Sequence, residues 1–274
     1  MVKIIIFFLL IGLILAGILF NPILVKRRRN RLKHRPFPPL WSAIVENSFP
    51  IYPCLYPDEI RRLQGHIQVF LAEKQFIGCR GLQVTEEMKL TLAAVACLLL
   101  LNEREQYFPR LRSILVYPNA YFVQETTSIG KYVVEERRVA RLGESWTNDQ
   151  VVLSWEQVKQ DINNWRDGRN VVLHEFAHQL DQEDGKAEGV PILQRNSDYA
   201  IWAKVMTQAY QQLCNDVLQG VNTVMDSYGT TNPAEFFAVA TETFFEKPQQ
   251  LLSEYPALYE QLQRYYQLDP VQWV

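Results

Sequence analysis

Acidic side chains are missing from the first 35 residues, which hold eight of the 28 Lys and Arg. The rest of the 274-residue chain sets 20 basic residues against 30 acidic ones, a net charge of −10 concealed within an overall −2. A body that acidic excludes nucleic-acid binding, which depends on a positive surface. Cysteine is scarce: Cys54, Cys79, Cys97 and Cys214 are scattered, with no C-x-x-C pair. That excludes a cysteine-based metal site, and free, mostly buried thiols are expected. No internal repeat is present. A charged fraction of 21% beside 14 Phe, 13 Tyr and 6 Trp excludes a disordered chain. Histidine occurs at only four positions, His34, His66, His174 and His178.

What the N-terminus has in plenty is apolar. Ile4 to Phe20 runs unbroken with Gly12, Ala16 and Gly17 as its small members, and Ile23, Leu24 and Val25 resume it after Asn21 and Pro22. As a helix, residues 4–25 reach ~33 Å, enough for a hydrocarbon core of ~30 Å. A cleaved signal peptide is the rival reading. However, no Ala-x-Ala step is present, and the basic cluster Lys26-Arg27-Arg28-Arg29 follows the run instead of preceding it. The expectation is an uncleaved single-pass anchor, contacting the bilayer through residues 4–25, with everything after it on the cytoplasmic side. The same basic stretch can touch anionic lipid heads.

The organisation expected is an anchor over 1–25, a basic and then Pro-rich linker over 26–57, and one globular domain over 58–274. Pro36, Pro38, Pro39, Pro50, Pro53 and Pro57 read as an extended entry to that domain. The apolar positions Ile60, Leu63, Ile67, Phe70 and Leu71 form a helical stripe over 58–76. Thr85 can cap a second helix ending near Leu101, whose almost wholly apolar stretch Leu90–Leu101 suits a core helix too short for a bilayer. Residues 112–123 and Val151–Trp155 have strand composition, and further helices are expected at 169–182, 197–218, 233–247 and 255–267. A few strands among several helices, without regular βαβ alternation, predict an α+β fold.

The chemistry concentrates in Val171-Val172-Leu173-His174-Glu175-Phe176-Ala177-His178-Gln179-Leu180-Asp181. Histidines at i and i+4 lie one helical turn apart on one face, so both imidazoles can reach one ion. Glu175 between them can serve as base for a water activated by that ion. A catalytic zinc usually takes a third protein ligand. The long metalloprotease motif would need Gly at 181 and His at 184, where this chain has Asp181 and Asp184, so that class is excluded. Gly185 after Asp184 marks a helix end, which leaves Tyr228-Gly229-Thr230-Thr231-Asn232-Pro233-Ala234-Glu235 as the better source. Asn232 and Pro233 are suited to the cap and first position of a helix. Glu235 either completes a capping box or ligates the metal. Glu242, two turns on and on the same apolar face, needs a partner, because an unpaired buried charge is costly. A ligand histidine would supply one, and Asp181 beyond His178 is the other candidate for orienting an imidazole, with a solvated helix-end residue as the alternative.

His-Glu-Phe-Ala-His-Gln-Leu-Asp (174–181) and Asn-Pro-Ala-Glu-Phe-Phe-Ala-Val (232–239) together resemble the Mlc titration factor A family of zinc peptidases. The segment starting at Tyr228-Gly229 is also similar to the metal-binding helix of the anthrax lethal factor catalytic domain, and the resemblance to the first family spans roughly residues 36–270. It implies a zincin-like, gluzincin-type domain with Zn2+ held by His174, His178 and Glu235, and Glu175 as general base. It implies that Tyr228 faces the metal, although a turn-packing aromatic beside Gly229 is the plainer role. The implied reaction is hydrolysis of peptide bonds in a peptide or protein substrate, with an aminopeptidase-like activity as one form. Val151–Trp155 is the candidate strand for pairing with that substrate. The family is also known for binding a transcriptional repressor, which implies a second reading, a membrane-tethered protein sequestering a transcriptional regulator. The N-terminal anchor is where this chain departs from the family.

Overall fold

A computed structural model describes residues 20–102, 106–119, 121–128, 134–141, 143–147 and 149–273. Residues 20–33 are helical (α1), so the expected membrane span lies largely outside the described residues. Among the described residues no helix is long and apolar enough to cross a membrane. Helix α1 is not a loose linker. Arg29 grips Glu73 through two N–H···O bonds of 2.8 Å, tying α1 to helix α3 (Pro57–Glu73).

The Pro-rich stretch folds instead of extending. Pro39 opens helix α2 (Pro39–Ser48), and Val45 and Phe49 are fully buried in the common core. Proline at the first helical position loses no hydrogen bond, because that N–H has no partner inside the helix. The same device starts α3 at Pro57, α8 (Pro233–Glu246), α9 (Pro248–Glu254) and α10 (Pro256–Tyr266). Pro39 and Pro57, read as part of an extended entry, are therefore helix starts in the fold.

Strand β1 (Gln75–Gly78), helix α4 (Glu86–Leu98) and strand β2 (Ser113–Tyr117) form a parallel crossover. Thr85 Oγ1 accepts the Met88 N–H at 3.2 Å, as its capping role predicts. Every residue from Leu90 to Leu101 has zero exposure, because α4 is enclosed by α2, α3 and the later helix α6 (Val171–Asp181). The single strand expected over 112–123 is divided at Pro118. Its second half, β3 (Tyr121–Ser128), leaves the main sheet and pairs antiparallel with β4 (Val134–Arg141).

The main sheet has the order β1-β2-β6-β5, with β5 (Gly143–Thr147) antiparallel to β6 (Gln150–Ser154) and the other neighbours parallel. This corrects the expectation for Val151–Trp155. Strand β6 is hydrogen-bonded to β2 on one side and β5 on the other, so it has no edge to offer a peptide. Trp155 instead begins helix α5 (Trp155–Asn163), capped by Ser154. Helices α6 (Val171–Asp181), α7 (Asp198–Leu218) and α8 complete the domain, with α6 packed between α4 and α8. The buried face of α6 is fixed by Phe176, whose ring meets Phe108 at 4.8 Å and Phe70 at 5.7 Å. Helices dominate around a small mixed sheet, in keeping with the α+β expectation.

Candidate metal centre

Helix α6 begins where Asn170 Oδ1 accepts the Leu173 N–H at 3.1 Å. From that start, His174 and His178 fall one turn apart with ring centroids 4.8 Å apart and nearly perpendicular. Helix α8 starts in the same way, with Asn232 Oδ1 accepting the Glu235 N–H at 3.0 Å. The cap fixes the backbone of Glu235 and leaves its carboxylate free to turn towards α6. There Glu235 Oε2 lies 3.0 Å from His174 Nε2 and 3.3 Å from His178 Nε2, and the two Nε2 atoms are 3.2 Å apart. Among the described residues these three form the one group of His, Cys, Asp or Glu able to hold a metal ion. Their side chains are only 11–18% exposed.

The donor set is suited to a cation. Three electron-pair donors converge on one point, and two of them are imidazole nitrogens facing each other. A proton can satisfy one such contact at a time, whereas a divalent ion satisfies all of them. Burial pushes Glu235 up, but the hydrogen bonds and charge of His174 and His178 outweigh that and hold it at about 2. Burial works against protonation of His174, yet Glu242 and Glu235 outweigh it and raise the ring well above its ordinary value. The centre thus favours positive charge, which an ion supplies as readily as a proton.

Glu242 stands behind the histidine. Its Oε1 is 2.7 Å from His174 Nδ1, so the ring donates there and presents Nε2 to the centre. Its Oε2 accepts the Asn170 N–H. Two further carboxylates that the sequence analysis missed act on the same helix start. Asp161 Oδ2 accepts the Val171 N–H at 2.8 Å, and Glu246 Oε2 accepts the Gly168 and Arg169 N–H groups at 2.9 and 3.0 Å. Burial drives Asp161 up to about 6 and Glu246 up to about 9, with these N–H donors pulling both downwards. Asp161, Glu242 and Glu246 therefore accept from four successive N–H groups leading into α6, donors that a helix start leaves without an intrahelical partner. The available signal was spacing: Glu235, Glu242 and Glu246 fall on one face of an otherwise apolar helix.

Glu175 is buried, 4% exposed, on α6 between the histidines. Asp181 is placed differently from the imidazole-orienting role considered for it. Its oxygens accept the Gly189 and Val190 N–H groups at 2.9 and 2.7 Å, so its carboxylate holds the loop after α6. Burial raises it, while those N–H groups and the nearby charge of His178 oppose the rise. Asp184 accepts the Lys186 N–H in the turn ending at Gly185, whose φ of +100° suits glycine.

Tyr228 lies in a short 3-10 turn, Ser227–Thr230, with its ring centroid 5.9 Å from that of His174 and 49% of the residue exposed. The turn is braced by Asp226, which accepts the Tyr228 N–H at 2.8 Å and pairs with Arg169 at the start of α6. Gly229 sits at a close approach, since a Cβ there would stand 3.2 Å from Leu213 and 3.4 Å from Val239. The turn, not the tyrosine ring, provides the packing, and the ring is left beside His174.

Two helices crossing so that a histidine pair of one meets a glutamate of the other define a candidate divalent-metal centre in a helix-dominated α+β domain. The glucose-regulated metallopeptidase M90 family matches residues 24–267, and the chain belongs to that family. It is 47% identical over 245 residues to an uncharacterised protein of Synechocystis sp., covering 89% of each chain. It is 30% identical to the Mlc titration factor A of Klebsiella pneumoniae, covering 82% of this chain and 85% of that protein. For the Pectobacterium atrosepticum Mlc titration factor A the figures are 31%, 84% and 86%.

Proposed function

We propose that this chain is a zinc-dependent peptidase, held at a membrane by residues 4–25 with its domain on the cytoplasmic side. The observation that carries the enzymatic part is the convergence of His174, His178 and Glu235 at 3.0–3.3 Å, with Glu175 on the same helix. Those spacings are close to the ~3.3 Å edge of a tetrahedron with bonds of ~2.0–2.1 Å, the habit of zinc with nitrogen and oxygen ligands. When bound, the ion would polarise the scissile carbonyl and bring the pKa of a water towards ~7. Glu175 takes that proton and returns it to the leaving amine. The Tyr228 hydroxyl, on a braced turn beside His174, donates to the oxygen that gains negative charge. Glu242 keeps His174 in the tautomer that presents Nε2.

An extended substrate would pair with β5. That strand is one of the two edges of the main sheet, the one that lies beside α6, whereas β6 is enclosed. Membrane attachment rests on the length of the apolar run and the basic cluster after it; retention in the membrane after alkaline extraction tests it. Unblocked aminoacyl reporters compared with N-blocked peptides, with and without a chelator, test the peptidase and separate aminopeptidase from endopeptidase action. Chelator-resistant cleavage would refute it.

The name shared by the relatives that are 30–31% identical favours one second reading, in which the chain sequesters a transcriptional regulator. Capture of a regulator equally well by metal-free or Glu175→Gln protein, with no peptide cleavage by the wild type, would favour that reading.

A further inference from the structure

Between the end of α1 and the first half of α3 lies a cavity of about 790 Å³ that shares no lining residue with the metal centre. Four cationic side chains line it, Lys33, Arg35, Arg61 and Arg62, against one carboxylate, Asp58, which is already paired with Arg61. Arg35, Arg61 and Asp58 stand exposed at its mouth, and Lys33 and Arg62 are half-buried. Gly65 lets the backbone of Lys33 pack against α3, since a Cβ there would lie 3.3 Å from Lys33 Cβ and carbonyl oxygen. Gln68 Nε2 donates to the Arg35 carbonyl at 3.1 Å and holds the connection out of α1. The Arg29–Glu73 pair fixes the helix itself.

Within this frame the Nε–H of Arg62 is buried and has no hydrogen-bond partner among the described residues. That atom is shielded from the cavity itself, but Arg62 lines it beside Lys33, Arg35 and Arg61, and a guanidinium among like charges calls for an anion. A tetrahedral phosphate group suits the guanidinium fork better than a chloride does. Phe37 and Pro36 add an apolar wall, suited to the organic body carrying the phosphate.

We propose that this cavity binds the phosphate group of an organic phosphate, with Arg62 and Arg35 as its principal contacts. The phosphate can come from an anionic lipid headgroup or from a soluble phosphate, and the chemistry of recognition is shared. His66 forms part of the lining and is kept neutral by burial and by the charges of Lys33 and Arg62. It therefore serves as a wall and not as a further cation.

Calorimetric titration of the full chain in an uncharged detergent tests this, with inorganic phosphate in one arm and dihexanoyl phosphatidic acid in the other. Saturable one-site binding is expected, weakened about tenfold or more by Arg62→Gln, the scale of one lost charge-assisted hydrogen-bond pair. Arg35→Gln, at an exposed position that does not threaten folding, should weaken it in the same direction. Lys204→Gln, which removes an exposed positive charge on α7, should leave it within twofold. Lipid binding at least tenfold tighter than phosphate identifies the headgroup source, and equal binding identifies the soluble one. Failure of both probes to saturate, or equal weakening by Lys204→Gln, would overturn the proposal.

Discussion

Glu242 and His174 are joined at 2.7 Å, and the same carboxylate holds the backbone of Asn170 at the start of the histidine helix. One side chain on α8 thus sets both the tautomer of a ligand and the position of the helix that bears it. Carboxylates behind a ligand histidine typically govern affinity by 10–100-fold. Glu242→Gln leaves one oxygen to serve two donors, so metal affinity should fall by about that factor in competition with a chromophoric chelator. Unchanged affinity would remove Glu242 from the centre.

Asp181→Ala separates two roles for that carboxylate. It deprives the Gly189 and Val190 N–H groups of a charged acceptor, each such bond contributing about 1.5–3 kcal/mol. Denaturant unfolding should show a loss of about 3–6 kcal/mol in total, with metal affinity nearly unchanged. A large loss of metal affinity with intact stability would assign Asp181 to His178 instead.

Tyr228→Phe keeps the ring and removes the hydroxyl. Loss of one donor to a developing oxyanion typically lowers kcat by ~10²–10³-fold. That fall is expected with KM and metal content unchanged. Full activity in the variant would return Tyr228 to the plain role of a turn aromatic.

His66 gives a pH dependence whose sign follows from burial. Its folded pKa is lowered to about 3 by desolvation, then by Lys33 and Arg62, from an ordinary 6.5. Below 6.5 the unfolded chain therefore binds a proton that the folded chain refuses, and stability is lost as pH falls from 6.5 towards 3. By pH 5 the loss from this group should be about 2 kcal/mol. His66→Gln can preserve the 2.8 Å contact with Tyr107 and should be flatter over that range in paired melts. Parallel curves for the two proteins would contradict the assignment.

Those residues also indicate what a sequence can and cannot disclose. The histidine pair and Glu235 were legible because helical periodicity is local: i and i+4 lie together in any helix, and an Asn-Pro cap fixes where α8 begins. Helices α3, α4, α7 and α8 were legible for the same reason. Strands β4 and β5 were not, since Val-Glu-Glu-Arg-Arg-Val-Ala-Arg over β4 has no apolar alternation and its partner β3 is polar in its second half. The place of β6 inside the sheet depends on non-local pairing, which composition does not encode. Asp161 escaped notice because its partner is a backbone N–H group, which no residue pattern marks, whereas Glu246 was signalled only by sharing the face of Glu235 and Glu242. Pro39 misled because no capping Asn, Asp, Ser or Thr precedes it, as Asn232 precedes Pro233, to mark it as a helix start.

The proposed peptidase rests most directly on Glu175, buried on α6 between its two histidines. The decisive measurement is peptide hydrolysis by zinc-loaded wild-type and Glu175→Gln proteins, with bound metal quantified in the same samples. Equal zinc, a turnover loss of ~10²–10⁴-fold in the variant, and abolition of wild-type activity by chelator with recovery on zinc addition are expected. Undiminished hydrolysis by metal-loaded Glu175→Gln protein would contradict the account.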